Sequence, residues 1–273
     1  MLSVVILTKN EQESIKRCLD SLAWCDDVVV LDSFSTDRTA EIASDLGARV
    51  VTNEFRDFAQ QRNFAATGIA FKHEWLFHLD ADEVFTPQLA GECIRVVREN
   101  TFSGFYVPSK MMLYGRWLKH AGMYPSYQVR LIKLGEIEFD QIGHGQRERN
   151  IGRGLGVLSE PYLHYSFSCG FEKWFEKHNR YSSAEARQEF YDRGHGKLVV
   201  GDLLTLDPVR RRRALKRVAA QAPFRASLRF IYMLVIRRGF LDGRAGLTYC
   251  ALLAIYEYLI TLKVRELESG KAG

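Results

Sequence analysis

The chain has 273 residues, of which 47% are hydrophobic and 26% are charged, so it can bury a sizeable core and lacks the composition of a disordered protein. A formal net charge of +5 is modest, so any basic function requires locally clustered Lys and Arg rather than the overall field. The five cysteines are widely spread and lack CxxC spacing, which argues against a disulfide framework or a zinc site and favours a reducing, cytosolic compartment.

The first hundred residues alternate apolar strands with helical segments. Residues 2–7 are apolar and β-branched, and no small-residue cleavage signal follows, so we interpret them as a buried first strand and not as a signal peptide. Similar runs recur at 27–32, 48–51 and 75–79, with helical segments between them. Continuous apolar strands separated by helices predict an α/β fold with a mostly parallel sheet and helices on both faces.

The pattern changes beyond residue 100. Short strand-like pieces with Gly-rich turns between 100 and 165 predict a mixed sheet edge with binding loops, and helical periodicity returns at 171–190. The composition becomes basic and apolar after Pro208. The predicted division is a main domain at 1–200, with halves near 1–100 and 101–200, and a helical tail at 201–273.

Three acidic residues, Asp80, Asp82 and Glu83, directly follow the strand at 75–79. Ligands bind at the carboxyl ends of parallel strands, and two aspartates at i and i+2 create a negative potential that a hard cation such as Mg²⁺ or Mn²⁺ would neutralise. The alternative is a polar loop that caps the next helix. Asp32 ends the second strand and should lie along the same edge, where it could bond a ribose or a base or, alternatively, cap a helix.

Six short segments follow one another in a specific order. They are VVILTKNE at 4–11, VVLDSFSTDRT at 29–39, QQRNFAA at 60–66, HLDADE at 78–83, LHYSF at 163–167 and KHNRYSSAEA at 177–186. Together they resemble glycosyltransferase family 2, whose members have the Rossmann-like GT-A fold. The segment GFLDGRAG at 239–246 is similar to the tail of the branch that includes lipopolysaccharide core glucosyltransferases and exopolysaccharide enzymes.

This resemblance implies a pocket for a nucleotide-sugar donor. Thr8, Glu11 and Asp32 would line the pocket, and Arg62 would support it or the donor phosphates. Arg130 resembles a family position near the donor, although a strand-edge arginine is the simpler alternative. The family is inverting and most often uses UDP-sugars.

The resemblance also implies a metal site. Asp80 and Asp82 would form its D-x-D motif, and His164 stands where related enzymes carry a third ligand. A lone His beside aromatic residues is otherwise a packed structural residue, and imidazole suits Mn²⁺ better than Mg²⁺. Lys177 follows on a helix and could close over a diphosphate, with a solvated basic face as the simpler interpretation.

An inverting transfer requires a general base for the acceptor hydroxyl. Many relatives carry an adjacent His-Glu pair at this point of the chain, but the segment FDQIGHGQRERN at 139–150 has none. Glu148 is the first candidate, followed by Asp140 and His144. A surface Glu beside Arg and His residues is equally consistent with an ordinary ion pair.

The tail combines a basic run at 210–217 with apolar helical segments. The basic run lacks the aromatic interleaving of nucleic-acid-binding modules, so we predict no nucleic-acid partner. Leu228–Ile236 is too short to span a bilayer, and Gly246–Leu262 is borderline in length and contains Glu257. The tail is therefore predicted to lie on an anionic membrane surface, with an ordinary packed helical tail as the alternative.

The sequence thus predicts a metal-dependent inverting enzyme at the inner face of the cytoplasmic membrane. It would move a hexose, by resemblance glucose, from a UDP-sugar to a lipid-linked glycan acceptor in lipopolysaccharide or exopolysaccharide biosynthesis. A nucleotidyltransferase acting on a sugar phosphate is one alternative, but LTKNEQES at 7–14 lacks the glycines of a phosphate loop. A non-catalytic membrane or nucleic-acid adaptor is another, and it would leave the acids at the strand end unexplained.

Overall fold

The structure is a computed structural model that describes residues 1–143, 145–195, 222 and 224–270. The candidate base His144, the predicted boundary between the main domain and the tail, and the basic run at 210–217 lie outside these residues.

The amino-terminal half is a parallel α/β unit. Its elements are β1 (Ser3–Thr8), α1 (Ile15–Asp20), β2 (Val28–Asp32), α2 (Thr39–Asp45), β3 (Arg49–Thr52), α3 (Phe58–Gly68) and β4 (Trp75–Asp80). The strands lie in the order β3-β2-β1-β4, and each neighbouring pair is parallel, as the sequence predicts. Val4 and Ile6 pack on one face of β1 and Val5 and Leu7 on the other, so both faces of this strand are buried.

The second half continues the same sheet with mixed strand directions. Its elements are β5 (Glu83–Val84), α4 (Pro87–Glu99), β6 (Gly104–Leu113), β7 (Arg116–Trp117), β8 (Ser126–Lys133), β9 (Glu138–Ile142), β10 (Gly145–Arg149), β11 (Leu155–Val157), β12 (Tyr162–His164) and α5 (Gly170–His195). The order continues as β4-β8-β6-β12-β5, with β8 antiparallel to both of its neighbours. The predicted mixed edge is therefore confirmed, and β9 and β10 form a separate hairpin.

The described part of the tail is helical. It consists of α6 (Arg225–Ile231), a π-helical turn at Tyr232–Ile236, a 3₁₀ turn at Gly239–Asp242 and α7 (Gly243–Glu268). Ala186 of α5 packs in one cluster with Ile260 and Val264 of α7, so the tail is seated on the helix that follows β12. This helical appendage was predicted from the sequence, and its position on α5 was not.

Candidate active site

Polar residues end three neighbouring strands at one edge of the sheet. Thr8 of β1 is in register with Asp32 of β2, and Leu7 of β1 is in register with Asp80 of β4. The strands are parallel, so their carboxyl ends meet here, and the prediction that Asp32 and Asp80 share one edge is confirmed.

Two buried arginines hold the carboxylate of Asp80. One oxygen of Asp80 lies 3.3 Å from Nη2 of Arg62 on α3, and the other lies 3.0 Å from Nη2 of Arg130 on β8. Arg130 is the additional residue of a β-bulge, because Phe105 pairs with Leu131 while Tyr106 pairs with Val129. Bulges redirect side chains, and this one accompanies an arginine that reaches the end of β4.

These charges shift one another's pKa values. Burial alone would raise the pKa of Asp80, but the guanidinium groups of Arg130 and Arg62 lower it to about 2. Burial and the nearby Arg130 lower the pKa of Arg62 to about 10. His78 is fully buried, and burial together with both arginines lowers its pKa, so its imidazole is neutral. Asp80 is therefore ionised and acts as the counter-ion of two arginines.

A second cluster lies two residues further along the chain. Ligand-type atoms of Asp82, Glu83 and His164 all lie within 4.8 Å of one another. Nε2 of His164 is 3.4 Å from Oδ2 of Asp82, and the ammonium of Lys177 on α5 is 3.9 Å from the same oxygen. Lys177 is therefore turned toward the acids, in contrast to the solvated basic face that was the simpler interpretation of the sequence.

The charges of this second cluster favour an ionised Asp82. Burial would raise the pKa of Asp82, but His164 and Lys177 lower it. Burial would lower the pKa of His164, but Asp82 raises it. In the same way, Asp82 outweighs burial and raises the pKa of Lys177. The carboxylate thus attracts cations, which is the property a metal ligand needs.

Glu83 belongs to this cluster, although the sequence analysis gave it no role of its own. It is fully buried, accepts a hydrogen bond of 2.6 Å from Arg130, and accepts another of 2.9 Å from the backbone N–H of Asp80. Burial raises its pKa to about 7. Both of its oxygens already accept hydrogen bonds, one from β8 and one from the end of β4. Asp82 and His164 are therefore the better candidates for metal ligands.

The set Asp82 and His164 fits a divalent cation. A carboxylate oxygen and an imidazole nitrogen 3.4 Å apart can point at one ion, which in this class of site completes its shell with water and phosphate oxygens. Asp80 was predicted as a further ligand, but both of its oxygens contact arginines.

The side chain of Asp32 is hydrogen-bonded to the loop that follows β2. Its carboxylate accepts hydrogen bonds from the N–H of Ser35 at 2.8 Å and from the Ser35 hydroxyl at 2.5 Å. These bonds fix the loop and do not cap α2, whose N-cap residue is Arg38, so the capping alternative is wrong. Thr8 is buried nearby, and its hydroxyl lacks a hydrogen-bond partner among the described residues. Glu11 lies at the same edge, where its carboxylate is 3.2 Å from the thiol of Cys169 and 3.7 Å from the ammonium of Lys173.

The two described base candidates lie on the β9–β10 hairpin. Asp140 is exposed and its carboxylate is 3.2 Å from Nε of Arg149, which is the ordinary ion pair considered above. Glu148 is half-buried. The pKa of Tyr106 on β6 is raised mainly by the burial of Tyr106 and further by the negative charge of Glu148. Within the described residues, neither carboxylate contacts the acidic cluster, so both remain predictions.

Residues 3–148 match the family described as Glycosyl transferase family 2. The chain is 40% identical over 92 residues to an uncharacterized glycosyltransferase of Rickettsia bellii, and this match spans 33% of the chain and 31% of that protein. It is 27% identical over 204 residues to the lipopolysaccharide core biosynthesis glycosyltransferase LpsC of Rhizobium meliloti, covering 69% of the chain and 71% of LpsC.

The fold has a solved counterpart. The mannosyltransferase PcManGT of Pyrobaculum calidifontis, in complex with GDP-Man and Mn²⁺, aligns with 97% of the chain and 86% of its own length, at 16% identity and a TM-score of 0.50. At this identity the similarity concerns the fold, and it agrees with the GT-A architecture expected from the sequence.

Proposed function

Because the chain belongs to glycosyltransferase family 2, with residues 3–148 matching it, we propose that it transfers a hexose from a UDP-sugar to a lipid-linked glycan. The observation that carries the proposal is the pairing of Asp82 with His164 at the carboxyl end of the sheet, beside the ammonium of Lys177. The similarity to LpsC supports a place in lipopolysaccharide synthesis. Exopolysaccharide synthesis as the other setting, and glucose as the sugar, rest on the sequence resemblance alone.

The donor would lie across the edge formed by β1, β2 and β4. Thr8 offers a buried hydroxyl with no described hydrogen-bond partner, and Asp32 and Glu11 border the same edge. Arg62 and Arg130 set the position of Asp80, and their positive charge favours the approach of donor phosphates.

Asp82 and His164 would hold Mg²⁺ or Mn²⁺, and the bound ion would neutralise charge on the leaving diphosphate. Lys177 carries a positive charge against Asp82 and can move onto the diphosphate when a cation takes its place. In an inverting transfer, Glu148 would accept the proton of the acceptor hydroxyl, with Asp140 as the second candidate.

The tail would place this site at the inner face of the cytoplasmic membrane. Exposed large apolar residues of the described tail are Phe224, Leu228, Ile231, Tyr232, Val235, Ile236, Phe240, Leu241, Leu247, Ile255, Tyr258 and Leu262. Soluble surfaces rarely expose so many neighbouring apolar side chains, and the exposed cations of Arg238 and Arg244 lie among them. We therefore propose that this face lies on an anionic lipid surface.

Among the described residues, Gly239–Glu268 is the one helical stretch whose length and composition would allow it to cross a membrane, with a mean hydropathy of 1.5 in its most apolar window. One side of α7 is nevertheless used inside the protein, because Ala245, Cys250, Ile260 and Val264 are buried against other elements. A helix that packs on the protein along one side and exposes apolar residues on another suits the membrane interface better than a span.

The first experiment incubates the purified protein with a panel of UDP-sugars and measures released UDP with Mn²⁺, with Mg²⁺ and with EDTA. We expect metal-dependent release from one donor, lost in Asp82→Asn and retained in Asp45→Asn, which removes an exposed acid of α2. In a parallel incubation with UTP and a sugar 1-phosphate, release of pyrophosphate, without UDP release from any UDP-sugar, would indicate a nucleotidyltransferase. Full UDP release with EDTA, or in Asp82→Asn, would contradict the metal role.

The second experiment tests the membrane face by sedimentation with phosphatidylcholine vesicles that contain or lack phosphatidylglycerol. The wild type should sediment with the anionic vesicles, and the double variant Ile236→Asp/Phe240→Asp should stay in solution. Val157→Asp changes an equally exposed apolar residue on β11 and should bind like the wild type. Equal binding by all three proteins would reject this face as the docking surface.

A further inference from the structure

Two lysines are gathered on one aromatic ring beside the carboxyl end of β6. The ammonium of Lys110 on β6 lies 4.5 Å from the ring centre of Trp117 on β7, and the ammonium of Lys119 lies 5.9 Å from it. Tyr124 contacts the same indole edge-to-face at 5.1 Å. The indole ring attracts both cations, so both ammonium groups lie around the same side chain.

No described carboxylate neutralises these two cations. Across residues 1–143, 145–195 and 224–270, no carboxylate lies within ion-pair distance of either ammonium. Glu160 is an acid in the neighbourhood. The pKa of Tyr124 is raised mainly by burial, then by Tyr127, and the negative charge of Glu160 makes a smaller contribution. Two ammonium groups around one ring carry like charge, and an anion that binds beside them is attracted by both.

The pair lies at the active-site end of the sheet. Lys110 is in register with Leu163, and the next residue, Met111, is in register with His164 on the adjacent strand β12. Neighbouring strands are about 4.8 Å apart, so the backbone at Lys110 is close to that at His164. Side chains alternate along a strand, so Lys110 shares a face with Trp117 and not with Met111. A ligand held by the lysines therefore occupies a different side of β6 from one that contacts Met111.

The turn that precedes α7 fixes the loop that carries the second lysine. Oδ2 of the buried Asp242 accepts hydrogen bonds from the N–H groups of His120 at 2.9 Å and Ala121 at 2.8 Å, directly after Lys119. Gly239 allows the close approach, since a Cβ there would lie 2.8 Å from the sulfur of Cys250 and 3.3 Å from Cβ of Ala121. The GFLDGRAG segment thus clamps the loop to the tail, and the lysine pair is preorganised.

We infer that Lys110 and Lys119, held on Trp117, bind an anionic sugar unit of the acceptor glycan, one that carries a carboxylate or a phosphate. The inference rests on the proposed function, because that function supplies a glycan acceptor. It adds a charge requirement for the acceptor at a subsite away from the transferred sugar. Loss of this subsite weakens acceptor binding and leaves the donor half of the reaction intact.

The test is calorimetric titration of the full-length protein with tetragalacturonic acid, with glucose 6-phosphate and with neutral tetragalactose. We expect saturable binding of at least one anionic probe and none of the neutral one. Affinity should fall at least about five-fold in Lys110→Met/Lys119→Met. Lys16→Met removes one charge from an exposed lysine of α1 and should bind like the wild type. The anionic probe that binds identifies the group as a carboxylate or a phosphate.

Two results would overturn the inference: a wild type that binds neither anionic probe, or a double variant that binds them as tightly as the wild type. Metal-dependent UDP release, measured on the same preparations, separates this inference from the proposed function. Intact UDP release without anion binding rejects the lysine subsite alone. Anion binding that depends on the lysines, without UDP release from any donor, leaves the subsite in place and rejects the proposed donor chemistry.

Discussion

Asp80 and Asp82 are two residues apart, yet the structure predicts opposite consequences for their neutral variants. Asp80 accepts from two buried arginines, at 3.3 and 3.0 Å, so Asp80→Asn leaves Arg62 and Arg130 without their full counter-ion. Asp82 faces His164 and Lys177 at 3.4 and 3.9 Å, and it also lies beside the acids Asp80 and Glu83. Its neutralisation therefore removes repulsion as well as attraction.

The expected magnitudes differ accordingly. Breaking a buried ion pair by removing one partner costs about 3–5 kcal/mol. The side chain of Asp80 is 26% exposed, so water offsets part of this loss, and we expect Asp80→Asn to lower the free energy of unfolding by about 2–4 kcal/mol. Asp82→Asn should cost less, about 1–2 kcal/mol: its two attractive contacts are longer, but its side chain is only 9% exposed and its lowered pKa means that the fold favours its charge.

The assay is thermal unfolding of both variants, alone and with Mn²⁺ plus UDP. In a chain of this size each kcal/mol corresponds to about 2–4 °C, so Asp80→Asn should melt roughly 5–15 °C below the wild type. Asp82→Asn should melt only a few degrees below the wild type but lose the stabilisation by Mn²⁺ and UDP, and its transfer rate should fall at least about 100-fold. Equal melting temperatures for the two variants would refute the assignment of Asp80 as the arginine counter-ion.

Three further outcomes are expected. His78 is buried and its pKa is lowered, so this imidazole binds a proton more readily in the unfolded chain than in the folded one. The free energy of unfolding should therefore fall as the pH drops below about 6.5. His78→Leu should make this fall smaller in urea titrations at pH 7 and pH 5. Asp242→Ala leaves the N–H groups of His120 and Ala121 without their acceptor and should lower the free energy of unfolding by about 2–4 kcal/mol in the same titrations. Asp242→Asn keeps an acceptor oxygen, so its loss should be about half as large. Glu148→Gln should reduce kcat at least about 100-fold with little change in donor KM, while Asp140→Asn retains activity; the reverse result would move the base to Asp140.

The sheet and its active edge were predictable because their signals are local. The apolar runs of β1, β2 and β4 differ sharply from the polar segments between them, and Asp32 and Asp80 each end such a run. Parallel connections then bring these ends together by geometry alone, so the register of Thr8 with Asp32 required no knowledge of side-chain contacts.

The division of roles among the acids was not predictable from the sequence, because it depends on distant partners. Asp80 is separated by 50 residues from Arg130, and Arg130 reaches it from a bulge that leaves no local mark in the sequence. From the sequence alone Glu83 would be expected on the surface, because a glutamate is rarely buried unless it is paired. Its contact with Arg130 becomes visible only when β5 and β8 are placed in one sheet.

Helix α5 links the candidate site to the tail. Lys177 faces Asp82, and two residues later the carbonyl and side-chain oxygens of Asn179 accept hydrogen bonds from Lys263 of α7 at 2.5 and 2.7 Å. On the same helix, His178 stacks on Trp174 and contacts Tyr256 of α7. The helix that would rest on the membrane therefore contacts the turn of α5 that carries the cation of the active site.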